Sequence, residues 1–263
     1  MFEREMKINF KNFLIWTLIL ILLFLIVFLV YPSITSSENV EMFNEMMKIF
    51  PEKILKAFNM DISNIDTAFG WLKTEGFVFV LLITGVYSAI LGSNILLKEE
   101  NDKTIEYLNS LPITRNKILI SKVLCAFIYI ILMIIILGLF NLIGLSLSGS
   151  FDIKLYCLLS ITPLFSSIVI FSICLFLSTF THKTKKTIGI SLGIVFISYF
   201  LQVLSEMSEN IEFLKYFSVF TLADTRNLIL ESKINPFMIL FTLLLTFGFI
   251  ILTKIRYNKK ELI

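Results

Sequence analysis

Long apolar runs alternate with polar stretches along the chain. A hydrocarbon core about 30 Å thick is crossed by about 20 apolar residues in an α-helix. Six runs come close to that length without Asp, Glu, Lys, Arg or His, near residues 13–31, 76–97, 123–147, 157–180, 187–204 and 236–253. Barrel strands would be shorter and alternating. We therefore predict an all-α integral membrane protein, with six transmembrane helices in a single domain over residues 1–263.

The residues before the first span predict a separate helical element. Their apolar side chains fall on one helical face, while basic side chains lie elsewhere. This pattern is typical of a short interfacial helix in the headgroup layer. A solvated basic N-terminus is the alternative. The apolar face consists of Phe2, Met6, Phe10 and Phe13.

Composition and charge support the membrane class and predict its orientation. Apolar residues make up 57% of the chain and charged residues only 16%, so a bilayer is the expected solvent. With the N-terminus in the cytoplasm, the inside segments carry 15 of the 23 Lys and Arg residues. The positive-inside rule then predicts that both termini are cytoplasmic, together with the charged stretch between spans two and three.

Two connections on the predicted outer side are long. Residues 32–75 contain apolar side chains at helical spacing and predict an amphipathic element resting on the outer leaflet or capping the bundle. Residues 205–235 are too apolar for a simple solvated loop, and we expect them to dip back toward the membrane or to pack on the bundle. Neither segment resembles a ligand-binding domain.

The chain has few residues suited to catalysis or cofactor binding. Its single histidine lies in a basic loop, its three cysteines show no ligand spacing, and no metalloprotease, lipase or phosphate-loop motif is present. We therefore predict a protein that is not an enzyme and holds no metal or cofactor. The residues considered were His182, Cys125, Cys157 and Cys174.

The predicted spans carry small and weakly polar side chains instead of ionisable ones. Ion-coupled transporters place acids, His or Arg near mid-membrane, so ion coupling is disfavoured. Gly189 and Gly193 form a G-x-x-x-G step, which serves either packing within the subunit or a contact with a second subunit.

The charged stretch from residue 98 to 122 predicts a helix, a break and a second helix; we call it the elbow. Asn101 or Asp102 can cap the first helix, Pro112 ends it, and Thr114 can cap a second helix that runs into the third span. A flexible linker would be rich in Gly and Ser. A solvated loop without a partner is the alternative.

The elbow resembles the cytoplasmic signature of bacterial type-2 ABC export permeases. The chain reads L-K-E-E-N-D-K-T-I-E-Y-L-N-S-L-P-I-T-R from Leu97 to Arg115. The family shows an acidic pair, commonly a Gly, and then T-(I/L)-E-x-L-x-S-x-P-(I/V)-(S/T)-R. Lys103 stands at the Gly position. The matching residues are Glu99, Glu100, Thr104, Ile105, Glu106, Leu108, Ser110, Pro112, Thr114 and Arg115.

The resemblance implies a plasma-membrane permease that exports an amphipathic or hydrophobic drug, peptide or lipid. It implies separate ABC ATPase subunits that hold ATP and Mg, a second permease subunit as homo- or heterodimer, surrounding lipid, and no nucleic acid. The elbow would be the ATPase contact, its acids complementing the ATPase surface. Its expected contact residues are Glu99, Glu100, Thr104, Ile105, Glu106, Tyr107, Leu108, Leu111, Pro112 and Arg115.

Two other classes of protein remain as alternatives. An ATP-independent secondary transporter or channel needs coupling or selectivity residues, and substrate transport without an ATPase would favour it. A membrane-embedded enzyme needs a convergent catalytic set, and turnover by the purified chain alone would favour it.

Overall fold

All regular structure in the described part of the chain is helical. The computed structural model describes residues 1–34, 67–106, 112–223 and 233–260. A π-helical turn, Leu72–Gly76, joins α2 to α3, and the 3₁₀ helices Glu209–Phe217 and Val219–Ala223 follow α7. The α-helices are α1 (Phe2–Ile34), α2 (Ala68–Trp71), α3 (Phe77–Ile95), α4 (Lys98–Asn101), α5 (Arg115–Ser148), α6 (Ile153–Ser178), α7 (Thr184–Met207) and α8 (Pro236–Lys259).

Six of these helices are long and apolar enough to cross a membrane: α1, α3, α5, α6, α7 and α8. They coincide with the six predicted spans, although α1 and α5 begin 11 and 8 residues earlier than predicted. The prediction of an all-helical, multi-pass membrane protein is confirmed.

Local sequence signals set the ends of several spans. The side chains of Thr114, Asp152 and Asn235 accept hydrogen bonds from amides in the first turns of α5, α6 and α8. Pro236 occupies the first turn of α8, where its missing N–H costs nothing. Gly149 ends α5 with a φ of 149°, which L-residues rarely adopt. These caps satisfy backbone groups that the helices leave unpaired.

The centre of the bundle is the close packing of α3 against α6. A Cβ atom added to Gly92 would lie 2.6 Å from the carbonyl oxygen of Phe171, so only glycine allows this approach. Ser93 donates a hydrogen bond of 2.7 Å to Ser191 and so ties α3 to α7. Small residues therefore let the helix backbones meet, as is common in membrane bundles.

Helix α1 is continuous from Phe2 to Ile34, so the expected separate interfacial helix is wrong. The first turns of α1 direct Glu5 and Asn9 into the bundle, while Phe2 and Phe10 are exposed. Polar partners on α5 explain this orientation. The Tyr129 hydroxyl, for example, donates a 2.5 Å hydrogen bond to the carbonyl of Met6.

The connection after α7 packs only partly on the bundle. Phe220 is buried against Tyr199, with ring centroids 6.1 Å apart, and Ser218 hydrogen-bonds to Ser198 on α7. Phe213 and Phe217 are exposed. The expected packing on the bundle is therefore confirmed for Val219–Ala223. For the exposed apolar residues before it, the return toward the membrane stays a prediction.

The first long connection lies largely outside the described residues. Its predicted amphipathic face falls within residues 35–66, which lie outside the described residues. The described end of this connection consists of α2, capped by Thr67, and the π-turn that leads into α3.

Candidate functional site

The elbow begins with α4, which stops after one turn. Helix α4 ends at Asp102, and Lys103 adopts a left-handed conformation with φ of 54°. The amide of Thr104 then donates a 2.9 Å hydrogen bond back to the carbonyl of Glu99. The sequence predicts a helix that starts at Asn101 or Asp102, whereas in the structure α4 ends there. A left-handed residue costs about 1 kcal/mol for an L-amino acid, which gives a physical reason for the Gly common at this position.

The two limbs of the elbow pack on each other. Ile105 from the first limb and Ile118 from the second are both buried, and Met1 and Ile113 cover them. Pro112 lies exposed between the limbs. The described part of the elbow is thus held by a small apolar core of its own.

The first buried ion pair of the elbow joins it to α5 and α1. The Lys122 ammonium lies 2.8 Å from both carboxylate oxygens of Glu99 and 2.5 Å from the carbonyl oxygen of Ile95. It also lies 3.4 Å from the Glu5 carboxylate. All three charged side chains are almost fully excluded from solvent. Burial of this kind requires pairing, because an isolated buried charge is very costly.

A second buried acid, Glu100, gathers groups from two further elements. One of its oxygens lies 2.8 Å from His182 Nδ1 and the other lies 2.7 Å from Lys260 Nζ. Lys260 Nζ also donates to the carbonyl of Thr181 at 2.7 Å. Glu100 therefore joins the elbow to the α6–α7 connection and to the end of α8.

Arg115, at the start of α5, binds the end of α8. Its Nη1 lies 3.3, 3.2 and 2.9 Å from the carbonyl oxygens of Tyr257, Asn258 and Lys260. Asn258 also donates a 3.0 Å hydrogen bond to Asn116. The guanidinium thus acts as a C-terminal cap supplied by another helix.

The pKa of Lys98 is shifted by burial and by the charged side chains around the Glu99–Lys122 ion pair. Burial lowers the pKa of Lys98, and the positive charge of Lys122 acts in the same direction. The carboxylates of Glu5, Glu99 and Asp102 oppose this effect. Burial outweighs the attraction of these acids, so the net effect is a lowered pKa for Lys98.

The acidic pair does not lie where we expected it. Glu99 and Glu100 are 2% and 8% exposed and pair within the chain, so they do not present charge to an outside surface. Glu106, in contrast, is exposed. His182 also differs from a simple solvated loop residue, because its ring contacts Glu100 although about half of its side chain is exposed.

The remaining expected site residues fall into two groups. Tyr107, Leu108 and Leu111 lie outside the described residues. Gly189 and Gly193 lie on α7, where an added Cβ would meet nothing within 4 Å. In the described structure the G-x-x-x-G step is therefore open and does not serve packing within the subunit.

Sequence reasoning missed Glu5 and Lys260 as partners of the elbow. A signal existed for Lys122, which shares a helical face with the apolar residues Ile118, Ala126 and Tyr129. A lysine on a stripe that is otherwise apolar predicts a buried, paired ammonium. Its partners could not be identified from the spacing.

The site offers ion pairs and caps and no catalytic constellation. Among the described residues, no group of three His, Cys, Asp or Glu side chains could hold a metal ion. The cysteines are free thiols, two of them buried. What this arrangement can do is fix the elbow rigidly to the ends of several helices.

Six helices long and apolar enough to cross a membrane, with an ion-paired elbow between two of them, define a multi-pass membrane protein. A protein-family model described as "ABC-2 family transporter protein" matches residues 2–262, so the chain belongs to that family. It is the membrane permease component, a transport subunit without an ATPase domain. Permeases of this family generally pair with ABC ATPase subunits. No curated protein and no solved structure shows significant similarity to the chain.

Proposed function

We propose that this chain is the permease of an ATP-driven exporter and that the elbow receives the motion of a separate ATPase subunit. The observation that carries the proposal is the anchoring of the elbow. Buried ion pairs of Glu99 and Glu100 tie it to α1, α5 and the end of α8. Displacement of an element anchored in this way would move several spans. Displacement of a solvated loop would not be passed on to the spans.

The contact with the ATPase requires a different set of acids from the one predicted. Glu99 and Glu100 hold the elbow in place, and the exposed carboxylates that remain on it are those of Asp102 and Glu106. We propose that these two supply the charge complementarity, with the apolar residues Tyr107, Leu108 and Leu111 completing the contact.

A pull-down from the native membrane tests this assignment. The wild-type chain should retain an ABC ATPase, and Glu106→Lys should retain less of it. Glu3→Lys is the matched control, because Glu3 is also an exposed acid and lies on α1, outside the elbow. Equal ATPase recovery with Glu106→Lys and with wild type would remove the elbow as the contact.

The proposed cargo is an amphipathic or hydrophobic drug, peptide or lipid, exported across the plasma membrane of a bacterium. The predicted spans carry hydroxyl and amide side chains and no Asp, Glu, Lys, Arg or His. ATP and Mg would reside on the partner subunit, on the cytoplasmic side together with both termini. Efflux of dye-labelled amphiphiles from vesicles containing chain and ATPase should require ATP. Efflux without the ATPase would favour a secondary transporter.

A second permease subunit is the other proposed partner, with α7 as the contact. The open step at Gly189 and Gly193 is flanked by exposed Ile190, Ile197 and Phe200. Glycines on an apolar face allow two helices to approach closely in a membrane. We expect Gly193→Leu to reduce the fraction of the chain that chemical cross-linking captures as a dimer.

Gly248→Leu on α8 is the control for the dimer experiment. The space beside Gly248 is equally open, but α8 is not the proposed contact. Equal loss of dimer in both variants, or in neither, would contradict the assignment to α7.

A further inference from the structure

Helix α8 packs along α6, with the Phe249 and Phe176 rings 5.9 Å apart, but most of its apolar surface faces outward. Only 17% of its most apolar 18-residue window is buried, against 61% for α6. Its last turn is different, because Tyr257 is 2% exposed and the residues after it make several polar contacts. Among the described residues, the hydrogen bonds and ion pairs that join α8 to the rest of the bundle are therefore concentrated at this end.

The contacts at this end come from both limbs of the elbow. Glu100 lies before the corner at Pro112 and binds the Lys260 ammonium at 2.7 Å. Arg115 lies after the corner and binds the carbonyl oxygens of residues 257, 258 and 260. Glu100 and Arg115 are 15 positions apart in the sequence, yet both bind the C-terminal end of α8.

The chemistry of these contacts fixes the orientation of the end of α8. The last carbonyls of an α-helix have no amide partner within the helix and carry partial negative charge. A guanidinium presents several donors in a fixed plane, so it holds these carbonyls in one orientation. The Lys260 side chain is 7% exposed and the Glu100 side chain 2% exposed, so water competes little for their ion pair.

We propose that these contacts form a clamp through which displacement of the elbow is passed to α8. The clamp consists of Glu100, Arg115 and Lys260. Helix α8 then moves together with α3 and α5, which the elbow joins directly. This inference rests on the proposed function, because it takes the ATPase as the source of the displacement.

The first experiment needs no ATPase and asks whether the clamp positions α8. Nitroxide labels are placed on the exposed sites Lys254 and Lys186 of the full-length chain in lipid nanodiscs, with Cys157 replaced. Pulsed electron spin resonance gives the distribution of the distance between them. The distribution should broaden when Arg115→Gln and Lys260→Gln are combined.

Lys259→Gln is the matched control, since Lys259 is a neighbouring and exposed lysine at the same helix end. It should leave the distribution narrow. An equally narrow distribution in the combined clamp variant would overturn the clamp, whatever the ATPase does.

The second experiment adds the co-purified ATPase and traps it with ATP and vanadate. A label pair on Lys117 and Lys186 reports the elbow, and the pair on Lys254 and Lys186 reports α8. In the wild type both distances should shift. In Arg115→Gln and in Lys260→Gln the elbow distance should still shift, while the α8 shift is lost.

The two hypotheses fail in different ways. If α8 stays still while the elbow moves, or if it moves equally without the clamp, transmission through the clamp is overturned and the proposed function stands. If no ATPase binds, or the elbow distance does not respond to ATP, the proposed function is overturned and transmission with it.

Discussion

Replacing Lys122 by Met tests whether the buried ion pairs hold the elbow. The Lys122 ammonium contacts the Glu99 carboxylate at 2.8 Å, the Glu5 carboxylate at 3.4 Å and the Ile95 carbonyl at 2.5 Å. Methionine keeps the length and the apolar stem of the side chain and removes only the charge and the donors. The two acids and the carbonyl are then left without their cation.

The expected loss of stability in Lys122→Met follows from the burial of both Lys122 and Glu99. Removing one partner of a buried ion pair costs about 3–5 kcal/mol, since an uncompensated charge remains inside. The side chain of Lys122 is 0% exposed and that of Glu99 only 3% exposed, so the full range applies. Replacing both members of a pair by uncharged groups is often close to neutral. The double variant Lys122→Met/Glu99→Gln should therefore recover part of the loss.

The assay is equilibrium unfolding of the purified chain in mixed micelles with increasing SDS, followed by circular dichroism. Lys117→Met is the control, because Lys117 is exposed on the same helix and should change the stability by less than about 0.5 kcal/mol. Two results would refute the reasoning. One is a Lys122→Met variant as stable as the control, and the other is a double variant whose loss equals the sum of the single losses.

Three further predictions concern packing, charge and orientation. Gly92→Ala should lower the free energy of unfolding by about 1–3 kcal/mol, because the added Cβ meets a backbone carbonyl of α6. Gly189→Ala is the control and should not lower it, because an added Cβ there meets nothing. Equal SDS unfolding midpoints for the two variants would contradict this. Burial lowers the pKa of Lys98, so the unfolded chain binds more protons and stability should rise with pH as this group titrates; Lys98→Met should flatten that rise when unfolding is measured between pH 7 and 10. In a variant without native cysteines, cysteine at Ser150 should react with an impermeant maleimide in intact cells, and cysteine at Lys183 only after permeabilisation; the reverse would invert the topology.

Local features of the elbow were predictable to a useful degree. Thr114 caps α5 and Pro112 lies at the bend, because capping and the restriction before proline act over a few residues. The break at Lys103 was not predicted. Lysine has no intrinsic preference for a left-handed conformation, and the return hydrogen bond from Thr104 to Glu99 forms only once α4 has stopped.

The partners of the acidic pair could not be predicted. Glu5 is 117 positions from Lys122, and Glu100 is 160 positions from Lys260. Exposed and buried acids look alike in a sequence, so the pair appeared suited to an outside surface. Burial of Glu99 and Glu100 depends on which helix ends meet, which is a property of the packed bundle.

The sequence by itself determined the class of the protein, the number and approximate limits of its spans, and the place of the elbow between the second and third. These follow from segment length, hydropathy and local caps, which act within about 20 residues along the chain. Tertiary structure decided that Glu99 and Glu100 face inward and that Arg115 and Lys260 join the elbow to α8. Those contacts form only when helices distant in the chain pack and exclude water, so that each buried charge must find its partner.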